Sequence, residues 1–183
     1  MRARFAYTCA GFPCRGPGAA DGMRDVIIIG AGIAGLTLAR QLQRRGLRPL
    51  VVERSRGIGG RCATRRIDGV PVDHGVAFLH GRTDPLCAEL AGVAAATALP
   101  DWPIVREGDG SPCRPEAFSE HAWRLAFAEG VNRFPRHLAA GVDILLESTV
   151  VGLGASNSAR EGWAVALASG ETLHARGLAL TIP

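Results

Sequence analysis

The residues best placed to do chemistry are three glycines spaced Gly-x-Gly-x-x-Gly: Gly30, Gly32 and Gly35 of the run GAGIAG. Their chemistry is binding. A glycine at the first position permits a tight turn, at the second it lets a pyrophosphate approach the backbone, and at the third it lets a helix lie close on a strand. Ala31, Ile33 and Ala34 complete the candidate loop. A helix opening here would turn its unpaired N–H groups and positive dipole end toward phosphates. Glu53 follows at the distance where a carboxylate accepts hydrogen bonds from adenosine ribose hydroxyls and repels a 2′-phosphate. The pattern serves FAD and NAD alike.

Such a loop works only between a strand and a helix. Asp25–Ile29, DVIII, is a short β-branched run that reads as a strand buried on both faces. From Ile33 to Arg45 the apolar residues Ile33, Leu36, Leu38, Ala39 and Leu42 approach a helical period, and Gly46 is the stop signal. Leu50–Glu53, LVVE, reads as a second buried strand with Pro49 at its start. Strand, helix and strand make a βαβ unit with a right-handed crossover and parallel strands. The expected fold is α/β: a Rossmann-like domain with a parallel sheet.

Further along, FPRHLA (134–139) reads as a short helix and DILLESTVVGL (143–153) as a strand. GWAVALASG and ETLHARGLALTI, on either side of Ser169-Gly170, suggest a β-meander. Between these blocks, residues 81–130 hold Pro85, Pro100, Pro103, Pro112, Pro115, Trp102 and Trp123 among short helical signals and loops. The expected division is a leading extension 1–22, a βαβ and Gly-Gly segment 23–80, part of an inserted substrate domain 81–130, and a return to the nucleotide-binding domain over 131–183. Residues 1–22 lack the apolar core of a secretory signal, and Met23 directly precedes the first strand. They read as a disordered or artefactual extension, with Met23 as a plausible start.

After Glu53 comes RSRGIGGRCATRR, with Gly59-Gly60 directly before Arg61. Adjacent glycines let a loop pass close to a ligand, and an arginine there pairs with pyrophosphate. At these residues the chain resembles the flavin-dependent amine oxidase superfamily. With VDHGVAFLHGR following, it looks most similar to the renalase-type branch. The resemblance implies non-covalent FAD, a loop that wraps it, and an Asp73-His74-Gly75 turn whose backbone approaches the flavin. It also implies a packing role on the adenine side for Val150 of STVVGL. GVNRFPRHLAAG and GLALTIP are similar to later stretches of the family. The candidate cofactor-binding set is therefore Gly30, Ala31, Gly32, Ile33, Ala34, Gly35, Glu53, Arg54, Gly59, Gly60, Arg61, Gly75, Val76 and Val150. A plain NAD-dependent dehydrogenase has no need of Gly59-Gly60-Arg61.

Members of that superfamily are longer, so the resemblance implies the N-terminal portion of an oxidoreductase that takes hydride from a small organic substrate. The alternatives are a non-catalytic dinucleotide-binding fragment and one subunit of a split enzyme completed by a second chain. Composition narrows the field further. Hydrophobic residues are 47% and charged residues 21%, which suits a globular protein. No apolar run has the length of a membrane span. Net charge is +4 with no lysine, which removes Schiff-base chemistry, and no arginine stripe carries the aromatics of a nucleic-acid site. The five cysteines lack a C-x-x-C pair or metal spacing, and read as free thiols of a cytoplasmic protein with no metal site. His74 and His80 could face the flavin or the substrate cavity, but read more simply as turn and strand residues. His121 and His137 read as surface, and Trp102 and Trp123 as core.

Overall fold

The computed structural model describes residues 23–81, 89–90, 92–93, 96–99, 105–113, 123–156 and 162–182. The extension 1–22, Trp102, His121, Cys9, Cys14 and Cys87 lie outside the described residues, as do four of the five prolines named above. The chain divides into two compact units, one of Met1–Gly60 with Leu138–Pro183 and one of Arg61–His137.

The first unit is built on a six-stranded sheet. With strands numbered along the whole chain, β1 is Arg24–Ile29, β2 Pro49–Val52, β10 Asp143–Leu145, β11 Val150–Ala155, β12 Trp163–Leu167 and β13 Thr172–Leu180. Their order is β10-β2-β1-β13-β12-β11. Helix α1, Ile33–Arg44, joins β1 to β2, which pair in parallel as the βαβ reading requires. The helix buries Gly35, Leu36 and Ala39, and Ile33, Leu38 and Leu42 of the expected apolar set are half-buried. It stops where Gly46 takes φ +78 and donates its N–H to the Gln43 carbonyl at 2.9 Å. That left-handed conformation suits glycine and satisfies an end-of-helix carbonyl.

Ile27 and Ile28 in the centre of β1 are fully buried, as expected of a strand covered on both faces. One core cluster joins Ile27, Ile29 and Val52 to Val165, Leu167 and Ala175 of the meander. Removing such a side chain from water contributes about 1.5–3 kcal/mol, so the meander and the βαβ unit stabilise each other. The long strand β13 makes this possible. Its first half pairs antiparallel with β12 through Thr172↔Ala166 to Ala175↔Trp163, and its second half pairs parallel with β1 through Leu180↔Ile29.

Residues 143–153 do not form one strand. Glu147 takes φ +53, and the chain breaks there into β10, which pairs with β2, and β11, which lies at the opposite edge beside β12. The apolar run hides this break because its cause is nonlocal. Glu147 N–H donates to the Ser55 carbonyl at 3.1 Å and Ser148 N–H to the Glu53 carbonyl at 2.9 Å.

The second unit holds β3 (Thr64–Ile67) and β4 (Val70–Asp73), a hairpin closed by Asp68 and Gly69 with φ +50 and +84. Two central residues of positive φ give the turn whose twist matches paired strands. Strands β5 (Leu79–Gly81), β6 (Ala96–Ala98) and β9 (Trp123–Phe127) form an antiparallel sheet in the order β5-β9-β6. β7 (Val105–Arg106) and β8 (Pro112–Cys113) form a small hairpin. Over 81–130, where short helical signals and loops were expected, Glu89 and Leu90 are helical, while β5 to β9 are strands because cross-strand pairing overrides weak local propensity. Helix α2, Arg133–Ala139, is the short helix expected at FPRHLA. Among the described residues no helix is long and apolar enough to cross a membrane, which says nothing of a β-barrel.

Candidate dinucleotide site

The GAGIAG loop turns from β1 into α1, and two of its three glycines have a structural reason to lack a side chain. Gly30 takes φ +107, a conformation that L side chains rarely adopt. At Gly35 a Cβ would stand 2.0 Å from the Gly30 carbonyl oxygen, so close packing of helix on turn excludes any other residue. Gly32 has neither constraint. Its φ of −75° and ψ of 178° are open to any residue, and a Cβ there would meet nothing within 4 Å. Helix α1 has no side-chain cap and no acidic residue in its first turn, so its first N–H groups lack intrahelical acceptors and remain available to an anion.

The rest of the loop's backbone is tied to protein. Gly30 N–H donates to the Val52 carbonyl at 2.9 Å, and Gly59 N–H donates to the Ala31 carbonyl at 2.9 Å. Gly59 and Gly60 take φ +115 and +55 and pass beside Gly32, where a Cβ on Gly60 would lie 3.5 Å from the Gly32 Cα. The structure thus brings the two glycine runs together. Arg54 and Arg61 are exposed and form no ion pair among the described residues. Ala31 is buried, while Ile33 is half-buried and Ala34 exposed at the start of α1.

Glu53 lies one residue beyond β2 rather than inside it. Its Oε2 accepts the Ala31 N–H at 2.8 Å and its Oε1 accepts the Ser55 N–H at 2.9 Å. The carboxylate therefore already holds the glycine loop. Each oxygen keeps a second lone pair, so the group has acceptor capacity left for a hydroxyl. Val150, at the start of β11, packs against the core cluster.

In the second unit, Gly75 has a reason of its own. A Cβ there would lie 2.3 Å from the Arg61 carbonyl oxygen, and the same oxygen accepts the Val76 N–H at 2.9 Å. Protein backbone thus occupies the place a side chain would take at this exposed glycine. Asp73 accepts the Thr64 hydroxyl and the Val131 N–H, and Thr64 Oγ1 accepts the Asn132 N–H at 3.1 Å. His74 is exposed. His80 lies exposed in β5 with its ring 5.9 Å from that of Phe78. His137 is not a plain surface residue: it is half-buried, with Nε2 3.3 Å from Glu89 Oε1. The Trp123 ring packs on Gly81 but is half-buried rather than part of the buried core. Cys62 is buried, and burial pushes its thiol up despite the neighbouring Arg61 charge, so it is a poor nucleophile.

One residue that holds the loop escapes sequence reasoning. Thr181, just beyond β13, donates its hydroxyl to the Ile29 carbonyl at 2.9 Å, with the Gly30 carbonyl at 3.1 Å. In GLALTIP it stands in an apolar strand with no motif to mark it; only parallel pairing of β13 with β1 brings it to the turn.

Residues 28–92 match the model of the NAD(P)-binding Rossmann-like domain. The chain is 40% identical over 84 residues to AofH of Mycobacterium tuberculosis, named as a flavin-containing monoamine oxidase, covering 46% of this chain and 18% of that protein. It is 33% identical over 125 residues to polyamine oxidase 2 of Arabidopsis thaliana, covering 67% of this chain and 24% of that one. The chain thus spans less than a quarter of these relatives' length. Among solved structures, a redesigned putrescine oxidase superposes with a TM-score of 0.66 at 16% identity, over 88% of this chain and 58% of that chain. A fatty acid isomerase from P. acnes gives 0.64 at 14% identity, over 87% of this chain and 59% of that one. At these identities the likeness is one of α/β fold alone. Over residues 28–92 the chain is thus similar to NAD(P)-binding Rossmann-like domains, and its homologues are flavin-containing amine and polyamine oxidases.

Proposed function

We propose that this chain is the dinucleotide-binding portion of an FAD-dependent oxidoreductase of amine oxidase type, acting on a small organic substrate. The observation that carries the reading is the open space over Gly32, bordered by an uncapped helix end and by the Glu53 carboxylate. A pyrophosphate over this turn is supported by Gly32 being the one glycine of the loop that no protein atom requires, so that its missing side chain leaves the helix end open. Gly30 to Gly35 would hold the pyrophosphate, Gly59 and Gly60 would border it, and Glu53 would accept a ribose hydroxyl with its remaining lone pairs. The resemblance of the sequence adds Arg54, Arg61, Gly75, Val76 and Val150 to that set. The renalase-type features of SRGIGGRCATRR and VDHG belong to the same reading.

FAD, when bound, supplies the hydride acceptor; the protein supplies binding and orientation. The loop does this through backbone N–H groups fixed in advance, so little ordering cost falls on the binding step. Residues 81–130 would form part of a substrate-facing insertion, in a cytoplasmic enzyme. A second reading, a binding portion that works only with a complementing chain, is favoured by the small share of each relative that this sequence spans. Absorbance decides between them after the full chain is mixed with FAD and freed of excess. A retained flavin spectrum supports the cofactor assignment, and turnover with amine substrates separates a self-sufficient enzyme from a partial one. Glu53→Ala should weaken FAD binding through loss of one or two charge-assisted hydrogen bonds, about 1.5–3 kcal/mol each. Unchanged affinity in that variant would remove Glu53 from the ribose assignment.

A further inference from the structure

We infer that Thr181 is a positioning residue that sets the dinucleotide turn before any ligand arrives. The inference rests on the reading of the loop as a dinucleotide site. Two clamps hold the turn. The Glu53 carboxylate takes the Ala31 N–H at 2.8 Å, and the Thr181 hydroxyl reaches the Ile29 carbonyl at 2.9 Å and the Gly30 carbonyl at 3.1 Å. Thr181 N–H also donates to the Ile29 carbonyl at 3.0 Å, so backbone and side chain of one residue converge on the end of β1.

Thr181 Oγ1 also bounds the space that makes two of the three glycines necessary. It would lie 3.1 Å from a Cβ at Gly30 and 2.7 Å from a Cβ at Gly35. The hydroxyl therefore seats both the turn and the first turn of α1, and its two acceptors are the carbonyls where the backbone reverses. With those carbonyls held by Thr181, and the N–H groups of the same two peptide planes donated to the Val52 carbonyl and to Glu53 Oε2, the backbone is fixed on both sides as it enters Gly32. A threonine suits this place because its β-branched side chain keeps few χ1 states, so the hydroxyl is held on the turn at low entropic cost.

The test compares Thr181→Val, which keeps the shape and removes the hydroxyl, with Thr181→Ser, which keeps the hydroxyl. Two readouts are needed: FAD affinity of the full chain, and amide hydrogen exchange of the ligand-free chain. Thr181→Val should bind FAD about tenfold more weakly, the upper range for one hydrogen bond. Exchange should quicken at Ala31, Gly32 and Ile33 while the amides of β11 and β12 keep their rates. Thr181→Ser should restore both properties to within about twofold. Equal exchange rates in the loop of Thr181→Val and the unaltered chain would overturn the inference. So would faster exchange spread evenly over the sheet, because that describes a merely structural residue. If the unaltered chain binds no FAD, the reading of this chain as a self-sufficient cofactor site falls, and the exchange pattern alone upholds or overturns the role of Thr181.

Discussion

Gly32 and Gly75 both sit in turns that sequence reasoning assigns to cofactor contact, and the structure gives them opposite surroundings. Beside Gly32 a Cβ meets nothing within 4 Å, whereas beside Gly75 it meets the Arg61 carbonyl at 2.3 Å. Gly75 is thus explained by the packing of its own unit. At Gly32 neither backbone conformation nor a neighbouring protein atom calls for glycine, which leaves that side of the turn open. The lesson is that a glycine in a motif becomes evidence for binding only after the protein's own demands on it have been subtracted.

Substitutions sharpen this contrast. The largest effect is expected at Gly35, where a Cβ falls 2.0 Å from backbone and no flexible side chain can yield. Gly35→Ala should cost about 3 kcal/mol or more, at the upper end of overpacking penalties, and thermal melting would register it as loss of the cooperative transition. Gly75→Ala comes next, at about 1–3 kcal/mol. Its melting temperature should fall while the Gly32 turn keeps its hydrogen-exchange pattern; an unchanged melting temperature would contradict the contact with Arg61. Gly32→Ala should lie within about 0.5 kcal/mol of the unaltered chain in stability, yet lose FAD binding. A variant that melts normally and still takes up FAD would break the comparison, because the space over Gly32 would then hold no phosphate.

The smallest effect concerns Cys62. Burial raises its folded pKa above the unfolded value of 9.0. The thiol's contribution is therefore fully present below pH 9 and lost as pH rises through the folded value. Denaturant midpoints measured from pH 8 upward should drift down slightly, and Cys62→Ser should remove that part of the drift.

Much of the first unit was legible because its signals are local. The β-branched run of β1, the apolar period of α1 and the stop at Gly46 each depend on residues within a few positions, and all three lie where the sequence puts them. The Glu53 position followed from the same reasoning. Its bonds to Ala31 and Ser55 did not, since a carboxylate's partners depend on which backbone the fold carries past it. The break at Glu147 and the strands of the second unit were hidden for a related reason. Their geometry is fixed by hydrogen bonds to distant segments, such as Ser148 N–H to the Glu53 carbonyl.

The sequence by itself therefore determined the βαβ unit, the glycine turn and the presence of an acid at the end of the second strand segment, because steric freedom at glycine and hydrophobic period act over short distances. Only the tertiary structure decided that β13 runs beside β1, that Thr181 grips the turn, and which glycine is left open. Those outcomes depend on which segments the folded chain packs together, and contacts between residues so far apart in sequence leave no local pattern to read.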